Sequence, residues 1–205
     1  MGPLYTVTLT VKEKDVNDLA ATPKVTLVGQ VEDLERNVRD KQDAVTAVAA
    51  QAGVDARTLA NAITAVNQAS DAELEAALSN AVLGLDLTDY LQLNSDQRVD
   101  MAGDFARGSY TTAQAIQTAL DAQVETQALK EINWAATNGS WDGADEGVFT
   151  AAGVTGVTAD NLEEVRQAVE NAPKTGTGTV DGVADQPIHV LTKEEVQAIV
   201  TGINA

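Results

Sequence analysis

Leu27, Val31, Leu34, Val38, Lys41, Val45, Val48 and Ala52 advance through the stretch LVGQVEDLERNVRDKQDAVTAVAAQA (27–52) by steps of four and three residues in turn. Val31, Val38, Val45 and Ala52 fall at the a positions of a heptad; Leu27, Leu34, Lys41 and Val48 fall at d. Apolar a/d spacing sustained over nearly four heptads predicts a coiled coil. The stripe is narrow, and Glu32, Asp33, Glu35, Arg36, Arg39, Asp40 and Asp43 crowd the rest of the surface. A narrow stripe fits a two- or three-stranded seam better than a helix buried in a globule. The other reading is a single helix packed inside its own subunit. Val at a with Leu at d leans towards a dimer, and Lys41 in the seam weakens it while helping to set register. Gly53 is expected to end this helix.

Upstream, Leu4-Tyr5-Thr6-Val7-Thr8-Leu9-Thr10-Val11 alternates with a period of two. Tyr5, Val7, Leu9 and Val11 share one face and three threonines the other, which predicts a β-strand. No strand of similar quality follows nearby. A lone strand leaves backbone groups unpaired on both edges, so Tyr5, Val7, Leu9 and Val11 are expected to dock by strand addition to another subunit or larger assembly. The alternative is a short hairpin with a weaker partner around Thr26–Val28. Ala21-Thr22-Pro23 separates strand from heptad.

Downstream, the chain reads as a succession of capped amphipathic helices. Val54-Asp55-Ala56 opens one with Leu59, Ala62, Ile63 and Val66 on a face. Ser70 with Glu73 forms a capping-box pattern for Asp71–Ser79. Asn94 or Ser95 caps the next helix, to about Ala106. Thr111 or Thr112 caps another, with Ile116, Ala119, Leu120 and Val124 inward, continuing towards Trp134. Val148–Ala152 reads as a helical turn. Thr158 is expected to cap a helix carrying Leu162, Val165, Ala168 and Val169, and Thr192 with Glu195 to cap the last one, with Val196, Ile199 and Val200 inward. Pro173 through Val183, rich in Gly and Thr, reads as a flexible loop.

Three short echoes run through this region. Val66-Asn67-Gln68-Ala69, Ile132-Asn133-Trp134-Ala135 and Ile203-Asn204-Ala205 repeat at spacings of 66 and 71 residues. Gly53-Val54-Asp55-Ala56-Arg57-Thr58-Leu59 echoes Gly156-Val157-Thr158-Ala159-Asp160-Asn161-Leu162, and Ile116-Gln117-Thr118-Ala119-Leu120 echoes Val196-Gln197-Ala198-Ile199-Val200. Together they predict a duplicated helical module. The expected fold class is therefore mainly α: an N-terminal strand and docking segment over 1–23, a coiled-coil helix over 24–52, and helical modules over 53–134 and 135–205.

Composition supports helices and narrows function. The chain has 205 residues, 44% hydrophobic but only 3% aromatic, so its core is built from Ala, Val, Leu and Ile. Thirteen Lys and Arg against 31 Asp and Glu give a net charge of −18. A phosphate backbone repels such a surface, so nucleic-acid binding is not expected. No apolar run approaches the roughly 20 residues of a membrane span, and membrane insertion is not expected. The absence of cysteine excludes disulfides, zinc–thiolate sites and iron–sulfur clusters. Met1-Gly2-Pro3 leads straight into the strand, and no secretion signal is read.

Little points to catalysis. His189, the single histidine, sits in Pro187-Ile188-His189-Val190 and reads as structural, with no nucleophile elbow nearby. Gly176-Thr177-Gly178 lacks the strand and helix of a phosphate loop. Asn138-Gly139-Ser140-Trp141-Asp142-Gly143 matches the opening of a calcium loop, but Phe149 stands where a bidentate Glu belongs. The Asn138–Gly147 segment therefore reads first as a turn with side-chain capping. No catalytic, metal or cofactor residue is assigned, and the chain is expected to be non-enzymatic.

The segment Ala69–Val124 carries a family likeness. Asp71–Val82, the Leu83-Gly84-Leu85-Asp86-Leu87-Thr88-Asp89-Tyr90 connection, Asn94–Phe105 and Tyr110–Val124 resemble helical repeats of bacterial surface-layer-like proteins. Phe149–Pro173, with Ala152-Gly153-Val154-Thr155-Gly156-Val157-Thr158-Ala159-Asp160-Asn161-Leu162, is similar to a companion repeat of the same proteins. The likeness covers less than half of the chain. Similar modules look at home in phage fibres and virion accessory proteins, and a strand followed by a heptad helix resembles the base of a phage fibre. That resemblance implies a virion structural protein, head or tail fibre or decoration protein, that docks by its N-terminus. Such a protein is expected to form a homo-oligomer, here through Leu27, Val31, Leu34, Val38, Val45 and Val48, as a trimer by analogy with fibres, with other virion proteins as partners. The alternative is a repeat module of a bacterial surface-layer or adhesin protein at the cell surface. The family implies no catalytic residues.

Overall fold

The computed structural model describes residues 38–205, and the expectations for the strand 4–11 and the heptad before Val38 lie outside them. Within these residues the chain is mainly helical. Seven α-helices follow in order: α1 (Val38–Gln68), α2 (Asp71–Leu78), α3 (Ser95–Asp104), α4 (Ala113–Asn138), α5 (Glu146–Ala151), α6 (Leu162–Glu170) and α7 (Lys193–Ile203). An antiparallel hairpin of β1 (Gly176–Val180) and β2 (Val183–Ile188) precedes α7.

The helix starts are where the caps place them. The Glu73 carboxylate accepts from the Ser70 backbone N–H at 3.0 Å before α2. Asn94 accepts from the N–H groups of Asp96 and Gln97 before α3, and Gln97 returns the bond. Thr112 and Thr192 cap α4 and α7, with Glu195 closing the second box. Each satisfies amide donors that the first helical turn leaves free.

Four sequence expectations are corrected. Gly53 does not end a helix: α1 runs through it for 31 residues. Nothing lies within 4 Å of where a Gly53 side chain would stand. The helical hydrogen bonds of its neighbours outweigh the ~1 kcal/mol that one mid-helix glycine costs. Thr158 does not cap α6: the residue before the helix is Asn161, which makes no side-chain cap bond and instead accepts from Thr158 N–H at its Oδ1, 2.8 Å away. Pro173–Val183 is not a flexible loop, because Gly176 onwards forms β1. The helix begun at Ser95 stops at Asp104, short of Ala106.

The core is aliphatic and runs the length of α4. Ile116, Leu120, Val124, Ala128, Ile132, Ala135 and Ala136 are buried along this helix at steps of three and four, the spacing that keeps one face inward. Leu74, Leu78, Leu93 and Met101 are buried in the same core, together with Val148, Phe149, Val165, Val169, Val196 and Val200. Phe149 stacks on Trp141 with ring centroids 6.3 Å apart.

Four side chains tie this core to the connecting loops in matching ways. Asn67, near the end of α1, exchanges two hydrogen bonds with the backbone of Tyr110. Asn133, on α4, makes the same exchange with Leu191. Tyr110 and Leu191 both lie just before capping threonines. Gln117, five residues after its cap, clamps both backbone groups of Asp86. Gln197, five residues after its own cap, clamps Thr155 in the same way. Asp86 and Thr155 each lie two residues after a left-handed glycine, Gly84 (φ +61) and Gly153 (φ +71). A side-chain amide holds an N–H donor and a carbonyl acceptor side by side, so it can replace both strand-like partners of a single loop residue.

Candidate functional site

Two concave surfaces lie on opposite stretches of α4. The first is a groove of about 540 Å³ between the Gly84 loop and the first half of α4, with Ala151 and Gly153 also on its wall. Four carboxylates line it: Asp86, Asp89, Asp121 and Glu125. They are solvated rather than buried. Asp86 is held below the usual carboxylate range by the Thr88 hydroxyl and N–H. Glu125 is paired with Lys193 of α7 at 2.8 Å. Tyr90, at the base, is pushed up to about 12, first by burial and then by Glu75, while Arg98 over its ring opposes them. Such a phenol stays protonated at neutral pH and does not serve as a base.

The second is a cleft of about 350 Å³ between the second half of α4 and the hairpin. Trp134, Asn138, Gly178, Val180, Ile188 and Val190 line it. Trp134 is 53% exposed and Val190 54%, so the cleft has apolar walls open to solvent. Its glycines leave room for neighbouring side chains: a side chain on Gly176 would overlap Val190, and one on Gly178 would stand 2.9 Å from Ile188.

His189 sits where the hairpin joins the body. It is 2% exposed, its N–H donates to the Thr137 hydroxyl at 2.9 Å, and neither ring nitrogen has a hydrogen-bond partner. Burial, and then the Lys174 ammonium, hold its imidazole below the usual range; the backbone and carboxylate of Glu170 only partly offset them. A neutral, buried ring fits a packing role. Sequence reading identified the residue but not its burial, which comes from the hairpin folding onto α4.

The Asn138–Gly147 segment is a capping turn. Gly139 takes the left-handed conformation that ends α4 (φ +68), and Asn138 donates to Trp134 O. The Asp145 carboxylate accepts from Val148 N–H and starts α5. Among the described residues no group of three or more His, Cys, Asp or Glu side chains is placed to hold a metal ion. Glu131 is a half-buried carboxyl that sequence reading missed; burial pushes it up, against a Gln97 hydrogen bond that pulls it down.

Of the expected oligomerisation residues, Leu27, Val31 and Leu34 lie outside the described residues, and Val38 is the first residue of α1. Val45 and Val48 are half-buried on α1. No residue from Ala47 to Thr58 is buried, and Leu59 is the first described residue of α1 that packs on the core. The docking residues Tyr5, Val7, Leu9 and Val11 lie outside the described residues. Among the described residues no helix is long and apolar enough to cross a membrane. No family model, no curated protein and no solved structure matches this chain.

Proposed function

We propose that this chain is a non-enzymatic structural protein of a virion, a phage head or tail fibre or decoration protein. It docks by its N-terminus, oligomerises through the heptad helix and projects two helical modules. The observation that carries the reading is the first half of α1. The helix continues unbroken from Val38, yet none of its residues from Ala47 to Thr58 is fully buried, and Leu59 is the first described one packed on the core. An isolated helical stretch of that length is marginal in water. A heptad seam that includes Val38, Val45, Val48 and Ala52 supplies the missing packing when it meets the same seam on other copies.

The matched clamps favour the modular part of the proposal. Asn67 with Gln117 and Asn133 with Gln197 brace two successive helical units, and α4 serves both, ending one and opening the next. Units that share a helix stack into an elongated array. The same duplication is what supports the second reading, a repeat module of a bacterial surface layer or adhesin.

Light scattering on the intact chain, beside residues 53–205, tests the stalk. The shorter chain keeps Leu59, Ala62, Ile63 and Val66. A trimer or dimer that becomes a monomer on truncation supports the fibre reading. A monomeric intact chain removes the stalk and leaves the surface module.

A further inference from the structure

The hairpin is the only sheet among the described residues, and it has two strands. Each strand therefore has one edge without a ladder partner. The edges are not equal. β2 carries Asp185 at φ +58 and Pro187, which lacks an N–H; both interrupt a hydrogen-bonding ladder. β1 is Gly-Thr-Gly-Thr-Val, with no proline, and a single irregularity between Gly178 and Val180. β1 contributes Gly178 and Val180 to the wall of the apolar cleft, with Trp134, Ile188 and Val190. An open edge next to an apolar trough is the surface that receives an added strand, backbone to backbone, with alternate side chains in the trough.

We infer that this edge and cleft receive residues 4–11 of a second copy of the chain. Leu4–Val11 is the stretch outside the described residues that alternates as a strand. It carries no charge, whereas the stretch from Lys12 onwards is rich in Lys, Asp and Glu. An uncharged segment enters an apolar cleft without leaving a charge unpaired. Its Tyr5, Val7, Leu9 and Val11 face matches the cleft, and its threonines match the exposed Thr177 and Thr179 side of β1.

The choice of a second copy rests on the heptad helix proposed above. Residues 12–23 reach at most about 43 Å when fully extended. A helix from residue 24 to Leu59 rises about 52 Å. The strand therefore falls short of the body of its own chain and of any parallel partner in the same bundle. A copy from another bundle, meeting tip to body, presents it without this limit. Such a contact is heterologous and builds open, end-on assemblies.

The absence of cysteine makes the test direct, since introduced thiols are the only ones. Full-length Thr8→Cys is mixed with full-length Thr177→Cys and joined with a short bis-maleimide. The expected product is a covalent dimer of one chain of each kind. It should form at least tenfold above the mixture of Thr8→Cys with Thr201→Cys, whose exposed threonine lies on α7, and be lost when Leu9→Asp is added. No product above that control overturns the docking, whatever mass light scattering assigns to the stalk. A chain carrying both cysteines that closes within a monomer overturns the choice of a second copy. Cross-linking between chains that scatter as monomers when dilute supports the docking and removes the stalk.

Discussion

Asn133 and Leu191, 58 positions apart, are joined by two hydrogen bonds: Asn133 Nδ2 donates to Leu191 O at 2.9 Å, and Leu191 N–H donates to Asn133 Oδ1 at 2.7 Å. Through this one side chain the second half of α4 fixes where the chain re-enters the body after the hairpin. Asn67 does the same for Tyr110. Leu191 is buried, so its backbone has no easy recourse to water once the amide is gone.

Asn133→Ala is therefore expected to destabilise the fold by about 2–3 kcal/mol, the cost of stranding buried polar groups as well as losing the bonds. Asn67→Ala, on the part-buried Tyr110, should cost less, about 1–2 kcal/mol. Urea denaturation midpoints at constant m-value check both. Equal midpoints for Asn133→Ala and wild type would show that the clamp does not hold the hairpin.

Gly53→Ala distinguishes a helix interior from a helix end. In the interior, with nothing near the new methyl group, alanine should stabilise α1 by about 0.5–1 kcal/mol. A glycine terminating a helix in the left-handed region would give the opposite sign. Helicity by circular dichroism and thermal midpoint read the answer.

His189 predicts a pH dependence. Its folded pKa is lowered, so the unfolded chain binds the proton more tightly than the folded one. The neutral-ring stability is fully present above the unfolded value near 6.5 and is lost as pH falls below it. Glu131, raised by burial, acts in the opposite sense: folding favours its protonated form, and its contribution is lost as pH rises through its folded pKa. The difference between wild type and His189→Leu isolates the histidine. The gap in unfolding free energy should move against the wild type from pH 7 to pH 5; a constant gap would sink the assignment.

Phe149 is fully buried against Trp141. Phe149→Ala should cost about 3–5 kcal/mol through lost burial and the cavity left behind, while Phe149→Leu should cost well under half of that. Trp141 fluorescence should shift to the red in the alanine variant, because its stacking partner is gone.

Much of the helical order was legible because it rests on local chemistry. The Ser70–Glu73 and Thr192–Glu195 boxes, the Asn94 and Thr112 caps and the Ile116–Leu120–Val124 stripe all act within one or two turns, and each is found where its spacing puts it. The echoes around Asn67 and Asn133, and around Gln117 and Gln197, were visible as repeated letters. Their meaning, a side-chain amide clamping a distant backbone, was not, since nothing local names a partner 31 to 58 positions away.

The hairpin shows the limit most plainly. Gly176-Thr177-Gly178-Thr179-Val180 lacks the apolar alternation of a strand, and its glycines suggest a loop. At those glycines a side chain would meet Val190 and Ile188 at under 3 Å unless these shifted. Gly53 fails in the other direction: a residue that locally weakens a helix is carried along by its neighbours. By itself, then, the sequence determined the helices, most of their caps and the inward stripes, because these depend on contacts within a few residues. The tertiary structure alone decided the hairpin, the burial of His189, the cleft beside Trp134 and the exposure of α1 before Leu59, because each depends on which surfaces meet across long stretches of chain.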